Sequence, residues 1–145
     1  MKRAVTLILA AALIVPLSSA GAASDKQLEQ FFAAARAGDA DKVTELLEAG
    51  VPVDATDKYG ATALIMAASA GHPAVAELLL ERGADPDHKE SFYGADPMGM
   101  ALFQDHPDVA LVLVEHGADN REGAFGFGVQ KKDEALARAA VESGP

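Results

Sequence analysis

The chain repeats itself at a nearly constant interval, and this constrains its fold more than any other feature. Gly50, Gly83 and Gly117 mark the same point in successive copies, and the two steps between them differ by a single position. Apolar pairs keep the same two steps earlier in each copy, at 34–35 and 67–68 and then at 101–102. A period of roughly 33 residues is typical of helical solenoids, in which neighbouring units bury each other's apolar faces. The sequence therefore predicts an all-α stack of similar units.

The central copy carries the pattern in its fullest form. It runs from Asp57 to Asp87 and reads DKYGATALIMAASAGHPAVAELLLERGADPD. It resembles the ankyrin repeat family, whose pattern is roughly Asp-x-x-Gly-x-Thr-Pro-Leu-His-x-Ala-Ala-x-x-Gly-His, then an apolar helix ending in Leu-Leu and Gly-Ala-Asp. The resemblance extends from about Asp25 to Arg138. It implies helix-turn-helix units with β-hairpin-like fingers between them, and a surface that binds another protein.

Local helix signals agree with this reading. Thr62 and Asp96 each precede a helical stretch, and their side chains can accept a backbone N–H of its first turn. Gly71 follows the first helix of the central copy, at a position suited to a left-handed conformation. Second helices are predicted over 73–82 and 107–116, each beginning with a proline that the first turn of a helix tolerates.

The array divides into three repeats and a capping segment, at about 24–56, 57–89, 90–122 and 123–145. Ser24 and Gln27 can form a capping box at the start of the first copy. A shift by one full repeat places Gly128 on Gly94 and predicts one last helix from Lys131 to Val141. Such a helix would close the stack, because terminal repeats must keep apolar faces out of water.

The third copy has a finger, at 88–94, that is one residue longer than the preceding one and accounts for the longer of the two steps. An insertion of this kind maps onto the loop side of a solenoid, which is often its binding face. Neutral drift in a loop is the alternative interpretation.

The amino terminus has the composition of a secretory signal peptide. Met1-Lys2-Arg3 is basic, residues 4–17 are almost wholly apolar, and residues 18–23 are small and weakly polar. A retained membrane anchor is the alternative. Against it, the apolar run is shorter than the roughly 20 residues that a spanning helix needs, and Pro16 interrupts it. We therefore expect secretion through a signal peptide, to the periplasm.

Small residues at positions −3 and −1 allow cleavage before Ala23 or before Ser24, and we adopt the second. The signal peptide is then 1–23 and the mature domain 24–145, with no membrane association after cleavage. The formal net charge of −10 becomes −12 when Lys2 and Arg3 are removed. Nucleic acid is excluded as a partner, since its binding requires clustered basic residues. An acidic surface favours basic protein surfaces, although it also simply keeps a protein soluble.

No arrangement of residues points to catalysis, a metal ion or a cofactor. His72 and His106 occupy the same repeat position, which indicates a structural role at helix starts. His88 lies near several carboxylates, but their number and spacing match no established metal motif. The two glycines beside Phe127 lack the pattern of a phosphate-binding loop. We therefore expect no enzymatic activity, no cofactor and no metal.

The chain departs from the family where the family has Thr-Pro-Leu-His. It has Thr62-Ala63-Leu64-Ile65 in the second copy and Asp96-Pro97-Met98-Gly99 in the third. In the family that histidine links adjacent repeats by hydrogen bonds. We therefore expect weaker coupling between repeats and a modestly stable domain.

The resemblance implies a partner-binding face made of finger tips and the exposed sides of first helices. Carried onto this chain, that face comprises Tyr59, Met66, Ser69, Ala70, Phe92, Tyr93, Met100, Phe103 and Gln104. Aromatic residues and methionine are enriched where interfaces concentrate their binding energy. Either Phe92 or Tyr93 folding back onto its finger is the alternative. Phe125 and Phe127 either plug the carboxy-terminal cap or extend the groove.

Taken together, these features predict an exported, monomeric, non-catalytic module that binds another protein. Resemblance to exported bacterial ankyrin proteins implies an inhibitor, an immunity protein or an accessory subunit for an exported enzyme with a basic surface. A scaffold or adaptor with no effect on enzyme activity is one alternative. A protein that binds a small ligand is another.

Overall fold

A computed structural model of the chain describes residues 23–143, and the predicted signal peptide lies, except for Ala23, outside them. Residues 23–143 form eight α-helices in four consecutive pairs. The helices are α1 Asp25–Ala37, α2 Ala40–Glu48, α3 Ala63–Ala70, α4 Pro73–Glu81, α5 Pro97–Phe103, α6 Pro107–Glu115, α7 Arg121–Lys131 and α8 Glu134–Glu142. The first helices of the pairs contact one another in chain order, and so do the second helices. This two-layer stack is the predicted all-α ankyrin repeat solenoid.

The predicted helix starts and stops are confirmed. Ser24 and Gln27 form the capping box of α1, each side chain accepting a backbone N–H of the other residue. The side chains of Thr62 and Asp96 accept the N–H groups of the third residues of α3 and α5. Gly71 ends α3 with φ 77°, in the left-handed region. Short helices therefore begin and end where local hydrogen bonding dictates.

The core lies between the two layers of helices. Large side chains from every pair are fully buried in it, including Phe31, Leu64, Leu79, Met98, Leu113 and Leu136. The first helices contribute alanines that are completely buried, such as Ala35, Ala67 and Ala101. Their small side chains let neighbouring first helices approach closely. No helix in the part of the chain that the structure describes has both the length and the apolar character needed to cross a membrane.

Adjacent units are linked by His72, the N-cap residue of α4. Its Nε2 donates to the carbonyl oxygen of Arg36 in the preceding unit, at 2.8 Å. The ring lies so close to Gly38 that a Cβ there would be 2.6 Å from Nδ1 of His72. The ring of His106 lies in the same way against Gly71 of the preceding unit. The structural role predicted for these two histidines is confirmed, and His72 supplies a link between repeats although the family's histidine is absent.

Carboxylates in the segments that follow α2 and α4 provide further links between units. Asp54 accepts the backbone N–H of Asp85 in the next unit, at 3.0 Å. Asp87 accepts the backbone N–H of Asp119 one unit further, at 2.8 Å. Because each acceptor is charged, these bonds are stronger than those between neutral groups. The same kind of bond therefore links the first unit to the second and the second to the third.

The closing segment differs from the sequence prediction in its register. It holds a helix pair, α7 and α8, where the shift by one full repeat predicted one helix from Lys131 to Val141. The carbonyl of Gly128 accepts the N–H of Asp133, just as that of Ala101 accepts the N–H of His106. Gly128 thus corresponds to Ala101 of the third unit, and not to Gly94. The last unit keeps both helices but has no finger. A prediction that assumes a constant repeat length therefore places its residues out of alignment with the third unit.

Gly128 lies where α7 packs tightly against α8 and the residue before it. A Cβ at this position would lie 2.8 Å from the backbone nitrogen of Ala137 and 3.1 Å from the carbonyl oxygen of Asp133. Both neighbours are backbone atoms, so neither can move as a flexible side chain would. Only glycine therefore fits at this crossing.

We predict that Gly128→Ala lowers the free energy of unfolding by about 1–3 kcal/mol through overpacking of the α7–α8 crossing. Urea denaturation followed by circular dichroism measures the change. Gly126→Ala is the matched control, because a Cβ at that helical glycine meets nothing within 4 Å. It should raise the stability by about 0.5–1 kcal/mol, as expected from helix propensity. Equal changes in stability for the two substitutions would contradict the steric conflict expected at Gly128.

Candidate functional site

A continuous groove crosses the first helices of units one to three, between these helices and the fingers. Its central compartment, of about 370 Å³, is lined by residues of α1, α3 and α5 together with finger residues. One end opens into a compartment of about 600 Å³ at α1, which shares Arg36 and Asp57 with the centre. The other end opens into one of about 570 Å³ at α5, which shares Tyr93, Ala95 and Met100.

Most residues predicted from the sequence lie along this groove. Those of the central compartment are Met66, Ser69, Ala70, Tyr93 and Met100. Phe103 lines the α5 end and Tyr59 the α1 end. Phe92 and Gln104 are exposed beside the groove without lining a compartment. Met66 is only 6% exposed and forms part of the groove floor, so it presents little surface to a partner.

Four exposed aromatic rings rise around the groove. Tyr59 is 52% exposed, Phe92 69%, Tyr93 85% and Phe103 83%. Phe92 and Tyr93 contact each other edge to face, with ring centroids 4.6 Å apart. Their exposure contradicts the alternative in which either ring folds back onto the finger. Large apolar side chains clustered in this way mark interaction sites in proteins.

The finger that carries Phe92 and Tyr93 is organised by Glu90. The Glu90 side chain, in a residue only 8% exposed, accepts the backbone N–H groups of Phe92 at 2.5 Å, Tyr93 at 2.6 Å and Ala95 at 3.2 Å. Burial by itself raises the pKa of this carboxyl, but the backbone N–H groups of Phe92, Ala95, Tyr93 and Gly94 outweigh it and lower the pKa below its ordinary value. Glu90 is therefore held as a carboxylate at neutral pH.

The sequence pattern predicted no role for Glu90 in the finger, because the carboxylates near His88 matched no established motif. The position of Glu90 gives a retrospective signal, since it occupies the place that Asp57 has one repeat earlier. Asp57 accepts the N–H groups of Tyr59 and Ala61 at 2.8 and 3.0 Å in the preceding finger. A carboxylate two residues before an aromatic residue is thus common to both fingers.

The two aromatic fingers are also joined to each other. The N–H of Ser91 donates to the carbonyl oxygen of Tyr59, at 2.9 Å. Nε2 of His88 donates to the carbonyl oxygen of Gly60, also at 2.9 Å. His88 is therefore a link between fingers. Within residues 23–143 no group of three or more His, Cys, Asp or Glu side chains is placed to hold a metal ion.

The two phenylalanines of α7 contribute to the end of the stack in different ways. Phe127 is partly buried against the core, with Nζ of Lys131 5.5 Å from its ring centroid. Phe125 is 44% exposed. Neither lines the three groove compartments. Phe127 thus packs at the carboxy-terminal end, as the capping interpretation expects, and Phe125 lies outside the groove.

Stacked helix pairs with one groove between first helices and fingers define a class of helical repeat proteins that bind other proteins. The chain belongs to the ankyrin repeat family, whose profile for three copies of the repeat matches residues 31–123. Ankyrin repeats are protein–protein interaction modules, and proteins built from them are generally non-catalytic. The repeats therefore make this chain a protein–protein interaction module.

Relatives share the repeats but not the whole architecture. An ankyrin repeat-containing protein of Saccharomyces cerevisiae is 43% identical over 60 residues, which cover 41% of this chain and 12% of that protein. An ankyrin repeat, SAM and basic leucine zipper domain-containing protein of Nomascus leucogenys is 41% identical over 61 residues, covering 42% of this chain and 13% of that protein. An inactive serine/threonine-protein kinase of Mus musculus is 37% identical over 70 residues, covering 48% of this chain and 5% of the kinase. The chain therefore spans only a small part of these relatives.

We predict that replacing Tyr59, Tyr93 and Phe103 together by alanine abolishes partner binding and leaves the fold intact. Binding should fall by at least 100-fold, because each aromatic anchor of an interface contributes about 2 kcal/mol or more. The helical circular dichroism should stay unchanged, since all three rings are more than half exposed. Phe125→Ala, an aromatic truncation outside the groove, is the control. Wild-type binding by the triple variant would overturn the assignment of this face.

Proposed function

We propose that the chain is exported and binds an exported enzyme without catalysing a reaction itself, as an inhibitor, an immunity protein or an accessory subunit. The exposed aromatic cluster around the groove is the observation that carries this proposal. Four rings exposed by 52–85% are costly to leave in water unless a partner covers them. Because both fingers are fixed by internal hydrogen bonds, a partner would lose little free energy in ordering them.

The groove is chemically uneven, and this suggests the kind of surface that it accepts. Its α5 end is apolar and is formed by Tyr93, Met100 and Phe103 with Ala95 and Gly99. Its α1 end carries both charges, with Arg36 and Lys58 among the carboxylates of Asp25, Glu29 and Asp57. We propose a partner that inserts a protruding apolar side chain at the α5 end. Basic side chains of the partner would then face Asp25 and Glu29, in keeping with the net charge of −12 that the mature chain would carry.

The partner can be sought with the mature chain from Ser24, carrying an affinity tag at its carboxy terminus. Periplasmic extract of the source cells is passed over the wild type, the triple alanine variant and Phe125→Ala, and retained proteins are identified by mass spectrometry. We expect one enzyme to be retained by the wild type and by Phe125→Ala and to be lost with the triple variant. Retention independent of the aromatic cluster would contradict the proposal.

The activity of the retained enzyme separates the proposed roles. Inhibition or immunity predicts that its activity falls as the mature chain is added, with one equivalent sufficient for full effect. An accessory role predicts a higher activity or a longer half-life of the enzyme. A scaffold or adaptor would bind with the same dependence on the aromatic cluster and leave the activity unchanged.

Export is tested separately, by expressing the full chain in a Gram-negative host and fractionating the cells. We predict a periplasmic product that begins at Ala23 or at Ser24 by intact mass, since both cuts leave small residues at −3 and −1. Leu9→Arg places a charge within the apolar run and should leave the uncut precursor in the cytoplasm. Thr6→Ser is the neutral control. An uncut wild-type product would contradict export by cleavage.

A further inference from the structure

We propose that Glu90 is a positioning residue of the groove, whose carboxylate holds the Phe92–Tyr93 finger in the shape that meets a partner. The proposal rests on the proposed function for its effect on binding. Its effect on the finger is measurable on the free protein, so the two can fail separately.

The links from Ser91 and His88 to the preceding finger come before the aromatic pair in the chain, and the pair itself has few contacts outside the turn. The rings of Phe92 and Tyr93 are mainly exposed and contact each other, so their packing against the core is slight. The Glu90 carboxylate lies inside the turn and accepts three of its N–H groups at 2.5–3.2 Å. The N–H of Glu90 also donates to the carbonyl oxygen of Ala95 at 3.0 Å, which closes the loop. Hydrogen bonds to a charged acceptor contribute more than neutral ones, and this carboxylate makes several.

A comparison of the two fingers explains why the residue is glutamate. In the second unit Asp57 reaches the N–H two and four residues later, at Tyr59 and Ala61. In the third unit the acid must span a turn with one more residue, and it reaches the N–H five residues later, at Ala95. Glutamate has one methylene more than aspartate. The inserted residue, the longer acid and the second aromatic residue therefore belong to one structural feature, a longer turn built around the Glu90 carboxylate.

The longer turn changes what the finger presents to a partner. Unit two presents one finger aromatic, Tyr59, whereas unit three presents Phe92 and Tyr93 at right angles to each other. Tyr93 then lines both the centre of the groove and its apolar end. Without the carboxylate at the centre of the turn, this ring would sample many positions and lose entropy on binding. Glu90 thus acts on the partner through Tyr93.

The first measurement is amide hydrogen exchange by NMR on the mature chain. The wild type should show protected amides at Phe92, Tyr93 and Ala95, and Glu90→Gln should exchange them at least tenfold faster, because the amide NH₂ of glutamine opposes the backbone donors. Buried amides of α4 should not change. Glu90→Asp should retain part of the protection but lose it at Ala95. Glu81→Gln, at an exposed position of α4, is the control for the loss of one charge. Full protection in Glu90→Gln would overturn the proposal.

A pH titration distinguishes positioning from a general effect on stability. Since the pKa of Glu90 is lowered, the finger should stay ordered as pH falls through the ordinary glutamate range and be released only below it. The NMR signals of the Phe92 and Tyr93 amides should change together, with the same midpoint pH. Other charged or titratable groups facing this region are Arg36 of α1, Asp57 of the preceding finger, and His88, Lys89 and Tyr93 of the same finger. The transition should therefore persist in Asp57→Asn and vanish in Glu90→Gln.

The second measurement is the affinity for the enzyme retained by the groove. Glu90→Gln should weaken binding at least tenfold, and Tyr93→Ala should add little further loss in the double variant, because both act through one ring. If Glu90→Gln loosens the finger but binds with wild-type affinity, the role of Glu90 in binding is overturned. If the wild type retains no partner, the proposed function fails, while the amide exchange still decides whether Glu90 orders the finger.

Discussion

Contact between neighbouring helix pairs is the constraint on which the rest of this structure depends. Its helices are 7–13 residues long, which is at or below the length at which an isolated helix is marginally stable in water. Each pair therefore persists only by burying its apolar face against the next pair. Fully buried alanines such as Ala67 and Ala101 allow this contact, since they keep the first helices close. A unit that lost its neighbour would lose most of its core.

Polar links along the stack keep the units in register. His72 reaches the carbonyl of Arg36 only because Gly38 leaves room for its ring. At the next interface His106 lies against Gly71, and beyond it Asp105 occupies the glycine position and pairs with Lys131 instead. Apolar packing is not directional, whereas these contacts are. Together they fix the orientation of each unit relative to its neighbour, and so the shape of the groove.

Since the helices carry the core, the fingers are free to vary in length and sequence. The protein uses this freedom in the third unit, where one additional residue and Glu90 produce a turn with two exposed aromatic side chains. The carboxylate compensates for the packing that an exposed turn lacks. Function in this fold is thus concentrated where stability does not depend on apolar burial. The last unit shows the opposite case, because it keeps its helices and has no finger.

The sequence by itself determined the repeat, the helix caps at Thr62 and Asp96, and the aromatic residues of the groove, because these depend on spacing and local hydrogen bonding. It did not determine the register of the last unit, since a fixed period assumes that every copy keeps its finger. It also did not reveal that Met66 is buried or that Glu90 centres a turn. Burial and hydrogen bonding of this kind depend on which groups the chain brings together in space. Only the tertiary structure decided them.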